Sequence, residues 1–215
     1  MTETVTGLVL RTRLLTDTSL IVHWLTPNLG RLATVAKGAR RPKSPFRGKL
    51  DLFYLADFSF NRSRRSELHT LREVSLRETH RGLREDLGRL QQASYCTGLV
   101  EQATEAETPL PQVFDLMLGL LQHLTGSPPQ PLTVFAFELK LLTELGLKPD
   151  LDKSRLNPGT RQLVKALAEN DWPVVVRLRA TAAQEAELGH FLHGFLIYHL
   201  GRMPKGRSAA LASST

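Results

Sequence analysis

The sequence predicts an α+β protein, with a small five-stranded barrel at its N-terminus followed by an all-helical C-terminal domain. Three observations carry this expectation. Residues 4 to 80 contain five segments in which apolar and polar side chains alternate with period 2. From Leu83 onward the apolar residues recur three or four positions apart instead, the period of a helix with one buried face. The excess positive charge is confined to the first of these regions. Of 215 residues 41% are hydrophobic, so the chain can bury a core in each region.

The strand segments are VTGLVLRTRLL, SLIVHWLT, RLATVAKG, DLFYLADFSF and ELHTLREVSL. Pro27, Asn28 and Gly30 supply turn chemistry between the second and third, and NRSRR separates the last two. The third and fourth are joined by KGARRPKSPFRGKL, residues 37–50, where a hairpin would need only about two to five residues. The helical part opens with Leu83, Leu87, Leu90, Ala93, Leu99, Val100 and Ala103, and halts before Pro109. A second helix begins near Pro111 and ends at Gly126. The third, FAFELKLLTELG, is apolar around most of its circumference, which predicts the centre of the helical domain. A short helix over 161–169 and a long one over 182–200 follow, the latter with a Thr181/Gln184 capping box and Gly201 as its stop. The domains are thus expected at 1–81 and 82–205, with 206–215 a flexible tail.

Residues 1–81 carry 15 Lys and Arg against 7 Asp and Glu, a net of +8, whereas the rest of the chain carries 13 against 14. Concentrated positive charge gathers phosphates and releases their counterions, which points to a polyanionic partner. No apolar run reaches the about 18 residues of a membrane span, and the first residues lack a basic, then apolar, leader pattern, so a cytoplasmic protein is expected. The single cysteine, Cys96, excludes an internal disulfide and a thiolate zinc cluster.

The 37–50 segment holds the densest charge: Lys37, Arg40, Arg41, Lys43, Arg47 and Lys49, with no acidic residue. Arg31 precedes it, and Arg62, Arg64 and Arg65 lie in the last hairpin turn, so ten cations come from neighbouring loops of one barrel. Pro42 and Pro45 are read as holding the segment extended, and Phe46 as a side chain on which a base could stack. Trp24, Tyr54, Phe58 and Phe60 lie on adjacent strands, where Phe58 and Phe60 are expected in the core. A partial match to G-x-x-x-x-G-K-[ST] at Gly38–Ser44 fails, because the second glycine is missing, Pro42 removes an amide donor and no helix follows. Cys96 lies among apolar helix neighbours, and no G-x-S-x-G elbow is present. Glu187 and His190 form one E-x-x-H spacing beside His193 and His199, a single copy that falls short of a metal site. Phosphate-backbone binding without a base code is the reading these residues favour.

The order G-x-V-L, D-x-x-x-x-V, L-T-x-x-x-G and above all A-K-G-A-R-R-x-K-S-x-F-x-G-x-L resembles the N-terminal pattern of the bacterial recombination mediator family RecO. Phe137, Glu138, Leu141, Leu142, Leu145, Gly146, Leu147 and Pro149 resemble its F-E-x-x-L-L-x-x-L-G-L-x-P stretch. Tyr198 to Gly201, which read Y-H-L-G, resemble its late Y-x-x-H-L-G stretch without the two spacer positions, before Lys205 and Ser208. The resemblance implies an N-terminal OB-fold that binds DNA and a helical domain, with no catalysis and no cofactor. It implies contact with single- and double-stranded DNA, annealing of complementary strands, and action with RecR, and in some settings SSB, RecF and RecA, in association with the nucleoid. The DNA contacts it implies are Lys37, Arg40, Arg41, Lys43, Phe46, Arg47 and Lys49. The family's four-cysteine zinc element has no counterpart in DLDKSRLNPGTRQ, so no structural zinc is expected. Ala136 replaces the arginine that precedes the F-E pair and receives the SSB tail, which leaves Arg84, Arg89 and Lys140 as the cations for that role. The competing reading is an adaptor that binds acidic protein surfaces and touches DNA incidentally.

Overall fold

The structure is a computed structural model that describes residues 2–212. Five strands, β1 (Thr2–Leu14), β2 (Leu20–Thr26), β3 (Gly30–Ala36), β4 (Leu55–Asn61) and β5 (Leu68–Glu78), form a closed barrel in the order β1-β2-β3-β5-β4, the expected OB-fold. Closure depends on β1 serving two neighbours. Its first half pairs with β4, from Thr2 opposite Asn61 to Leu8 opposite Leu55, and its second half pairs with β2. A register shift between Val9 and Arg11 turns the strand from one partner to the other. Gly7 lies at this corner, where a Cβ would sit 2.7 Å from the Phe58 ring. The β3–β5 pair is parallel and completes the ring.

Alternation puts Val9, Val22, Trp24, Leu32, Phe58, Phe60 and Leu71 inside the barrel, all nearly or fully buried. Trp24 stacks on Phe58 with ring centroids 4.1 Å apart, and its indole N–H donates to Thr34 Oγ1 at 2.9 Å. These aromatics are core, so they offer no stacking surface to a ligand.

A 3₁₀ turn at Arg81–Glu85 precedes the helices α1 (Leu87–Ala103), α2 (Pro111–Gly126), α3 (Pro131–Glu144), α4 (Pro158–Glu169), α5 (Trp172–Val175), α6 (Ala182–Leu200) and α7 (Arg207–Leu211). α3 is the expected central helix: of the eleven residues from Leu132 to Leu142 all but Lys140 are buried. The capping box of α6 forms as the sequence predicts, and Gly201 closes that helix with φ +77°.

The chain divides into two compact units. One contains the residues up to His80 together with Thr104–Asp115; the other contains Arg81–Ala103 and the residues from Leu116 on. The return of residues 104–115 to the barrel's unit is a feature the expected boundary at 81/82 does not include. Ala106 bridges Arg31 in parallel register, and the Glu107 amide donates to the Arg31 carbonyl at 2.9 Å. The expected flexible tail is also corrected. Residues 207–211 form α7, because the Arg207 guanidinium reaches the buried Glu138 carboxylate at 2.7 Å and 2.9 Å. Residues 213–215 lie outside the described part of the chain.

Candidate nucleic-acid interface

Residues 37–50 fold as consecutive β-turns and not as an extended strand. The Arg41 amide donates to the Gly38 carbonyl, Ser44 to Arg41, Arg47 to Ser44 and Lys49 to Phe46, each at 3.0–3.2 Å. Pro42 and Pro45 both fall at the second position of such a turn, where the fixed φ of proline is already right and no amide is required. Gly48 takes φ +72° at the third position of the last turn, which a side chain would strain. The prolines therefore bend the segment, and the reading of them as extenders is overturned.

Bending turns Phe46 inward. It is 7% exposed and joins Val9, Leu32 and Val74 in the barrel core, with Ala39 buried beside it. Phe46 is thus a plug whose ring is largely covered by the barrel core, not the exposed stacking platform that the sequence suggests. Two apolar anchors leave the charged residues no place but the outside: Lys37, Arg40, Arg41, Lys43 and Arg47 are exposed. Lys49 is half-buried and donates to the Val74 carbonyl at 3.2 Å. Arg40 fastens the loop to the β1–β2 tip, its amide donating to the Thr18 carbonyl and its guanidinium to the Asp17 carbonyl, both at 3.0 Å. Beneath the loop lies a groove of about 400 Å³, whose floor is Leu20, Ala39, Phe46 and Leu50 and whose rim is Arg40, Arg41 and Arg47. A second hollow of about 430 Å³ mixes Lys49 and Arg72 with Asp57 and Glu73, so its charges offset.

The other cations divide by their partners. Arg31 donates to Thr104 Oγ1 at 2.8 Å and to the Thr104 carbonyl, so it holds the 104–108 segment. Arg62 lies between two carboxylates, with Nε 2.7 Å from Glu3 and Nη1 on Glu107. These hydrogen bonds raise its pKa further and hold the Glu3 carboxyl below the ordinary glutamate range. Arg31 and Arg62 are therefore held by partners inside the unit, which sets them apart from the exposed cations of the 37–50 loop. Arg64 and Arg65, two and three residues on, are exposed. Glu107 also accepts from His69 Nε2 at 3.1 Å, while His69 Nδ1 accepts the Ser63 amide at 3.2 Å.

A residue that the motif reading passes over reports the barrel's field. His23 on β2 is half-buried, and burial first, then the charges of Arg11, Arg13 and Arg31, push its imidazole down to about 4. Arg13 is exposed on the same hairpin, and only its place in the β1 alternation marks it in the sequence.

In the helical unit Arg84 is exposed. Arg89 donates to the Gly82, Thr125 and Ser127 carbonyls at 3.0–3.3 Å, and Lys140 to those of Ala168 and Asn170 at 3.0 Å and 2.7 Å. Burial lowers the Lys140 pKa. Both side chains satisfy carbonyls near helix ends, so neither is poised for an acidic tail, contrary to expectation. Glu187 accepts from the Asn157 amide at 2.9 Å and from Thr160 at 2.5 Å, which fixes the start of α4 and removes it from any site with His190. Cys96 is buried, and burial raises its thiol pKa. Among the described residues no helix is long and apolar enough to cross a membrane, and no three His, Cys, Asp or Glu side chains gather as metal ligands.

Comparison with known proteins places two family models along the chain. Residues 1–80 match the family "Recombination protein O N terminal", and residues 84–154 match "Recombination protein O C terminal". A protein of Bacillus pumilus named DNA repair protein RecO is 34% identical over 147 residues, 68% of this chain and 57% of that one. Proteins of the same name from Rhodopirellula baltica and Symbiobacterium thermophilum are 35% and 40% identical, over 66% and 68% of this chain and 53% and 58% of theirs. The match thus spans a little over half the length of these curated relatives.

Proposed function

The chain belongs to the RecO family, and on that premise we propose that it is a non-enzymatic DNA-binding factor of repair and recombination. It binds single-stranded DNA, anneals complementary strands, and with RecR assists the loading of RecA at the nucleoid. The observation that carries this reading is the outward set Lys37, Arg40, Arg41, Lys43 and Arg47, fixed on a loop that Phe46 pins to the barrel core. Two strands resist pairing because their phosphates repel. Cations that neutralise the phosphates of both lower that barrier and leave the base edges free to pair. The absence of any carboxylate from residues 37–50 means that this loop's charges are not offset within it.

The test is Arg40→Glu/Arg41→Glu/Lys43→Glu. Removing three phosphate contacts lowers the slope of log K against log salt by about 2 for a single strand, with a loss of affinity of about 100-fold at moderate salt. Unchanged affinity and annealing would remove this loop from the interface. A protein-binding role for the helical unit is favoured by one observation: Tyr198 is 83% exposed and Ile197 39% exposed on α6. Association with SSB or RecR that persists under nuclease treatment and is lost in Tyr198→Ser would place it there.

A further inference from the structure

The binding loop has an apolar companion. Leu14 and Leu15, at the tip of the β1–β2 hairpin, are 66% and 45% exposed, where a hairpin tip is ordinarily polar. Leu14 pairs with Leu20 across the ladder, and cross-strand partners point to the same face. Leu20 forms part of the floor of the 400 Å³ groove, whose rim is Arg40, Arg41 and Arg47. Leu14 therefore lies beside Leu20 on that face, next to the groove. The spacing between hairpin tip and rim is held, because Arg40 is bonded to the Asp17 and Thr18 carbonyls and the Gly38 amide to Ser19 Oγ at 3.2 Å.

Resting on the DNA-binding reading above, we propose that this groove seats one unstacked nucleobase, with its flat face on Leu14 and Leu20 and its flanking phosphates on Arg40, Arg41 and Arg47. An apolar floor alone would admit many partners. A guanidinium rim with no carboxylate in the groove selects an anion, and a nucleotide has both an apolar face and a charge one bond system away. Leucine is a side chain that inserts against bases in other minor-groove and wedge contacts, so the residue type suits the task. A base in duplex DNA is covered on both faces and paired at its edge, and cannot enter without being unstacked. The groove thus gives the protein a preference for single-stranded or frayed DNA, which its phosphate contacts alone would not supply.

The experiment compares an oligothymidylate with an abasic strand of equal phosphate number. The native chain is expected to bind the thymidylate about tenfold more tightly, with the same salt slope for both. Leu14→Ser/Leu15→Ser removes that ratio and leaves abasic-strand binding unchanged, whereas Leu14→Met/Leu15→Met, which keeps apolar contact, retains it. Equal binding of the two strands by the native chain overturns the base pocket and leaves the phosphate reading intact. Binding of neither strand overturns both. A serine variant that keeps the ratio but loses self-association in solution would assign the leucines to a contact between copies of the chain, and the pocket would again be overturned.

Discussion

In the 37–50 loop of the barrel five of six cations are exposed, Arg40 and Arg47 each giving one hydrogen bond to a carbonyl, whereas in the helical unit Arg89, Lys140, Arg161 and Arg207 are half-buried or buried and each end on protein carbonyls or a carboxylate. The difference follows from the backbone around them. A helix leaves its last carbonyls without intrahelical donors, and long cationic side chains nearby are drawn in to fill them. A series of β-turns answers several of its own carbonyls with amides three residues on, so it makes less demand on neighbouring side chains. Charge density in a sequence therefore says little about availability until the local backbone is known.

The strongest test of this contrast is on the helical side. Tyr95, Arg207 and Glu138 form a buried cluster, with Glu138 fully enclosed and the Tyr95 hydroxyl donating to it at 2.5 Å. Desolvation, then the adjacent carboxylate, raises the Tyr95 pKa far out of reach. Glu138→Ala strands Arg207 and removes the acceptor of Tyr95. The expected loss is about 3–5 kcal/mol, seen in the urea unfolding of the helical unit, with DNA affinity unchanged. Glu138→Leu/Arg207→Met should recover most of it, because the charges go together. A loss under about 1 kcal/mol for the single variant would mean that this pair does not anchor α7.

How far each region was legible follows the same line. The OB barrel and the central α3 could be read because alternation and helical period are properties of a short window. The Glu138–Arg207 pair could not, since its members lie 69 positions apart and no local pattern links them. Residues 104–115 failed to read as part of the barrel for the same reason: their ties run to Arg31, Arg62 and His69. In the loop the residue types were right and the conformation wrong. Pro42 and Pro45 suit an extended chain as well as the second position of a turn, and only the amide bonds of Ser44 and Arg47 distinguish the two. Phe46 went inward as a consequence, which largely covers the ring that the sequence suggested as a stacking platform.

A smaller effect sharpens the barrel side. His23 takes its proton only at about 4 in the fold, against the ordinary value of 6.5. As pH falls below 6.5 the unfolded chain protonates first, so the barrel loses stability between pH 6.5 and 4, and the full contribution is present above 6.5. Allowing for the half-exposed ring, the loss from pH 7 to pH 5 is about 1 kcal/mol. His23→Gln should flatten that part of the pH profile in thermal unfolding. A His23 proton resonance that titrates near 6.5 would show that burial and the Arg11, Arg13 and Arg31 charges do not act on it as placed.

The finest comparison lies within one turn, where Arg62 is held by Glu3 and Glu107 while Arg64 and Arg65 stand exposed. The three residues are indistinguishable by composition, and only their surroundings separate them. Arg62→Ala should leave the salt slope of DNA binding as it was and cost the barrel under about 1 kcal/mol, as a partly exposed ion pair does. Arg64→Ala/Arg65→Ala should leave stability alone and lower the slope by about 1 for a single strand. Because Glu3 ionises below the ordinary glutamate pKa of 4.5, its pair with Arg62 persists at neutral and mildly acid pH and is lost only as the carboxyl protonates. Binding measured at pH 7 and at pH 5.5 should accordingly assign Arg62 the same silent role, and a slope that drops in Arg62→Ala at either pH would place that arginine on the phosphates instead.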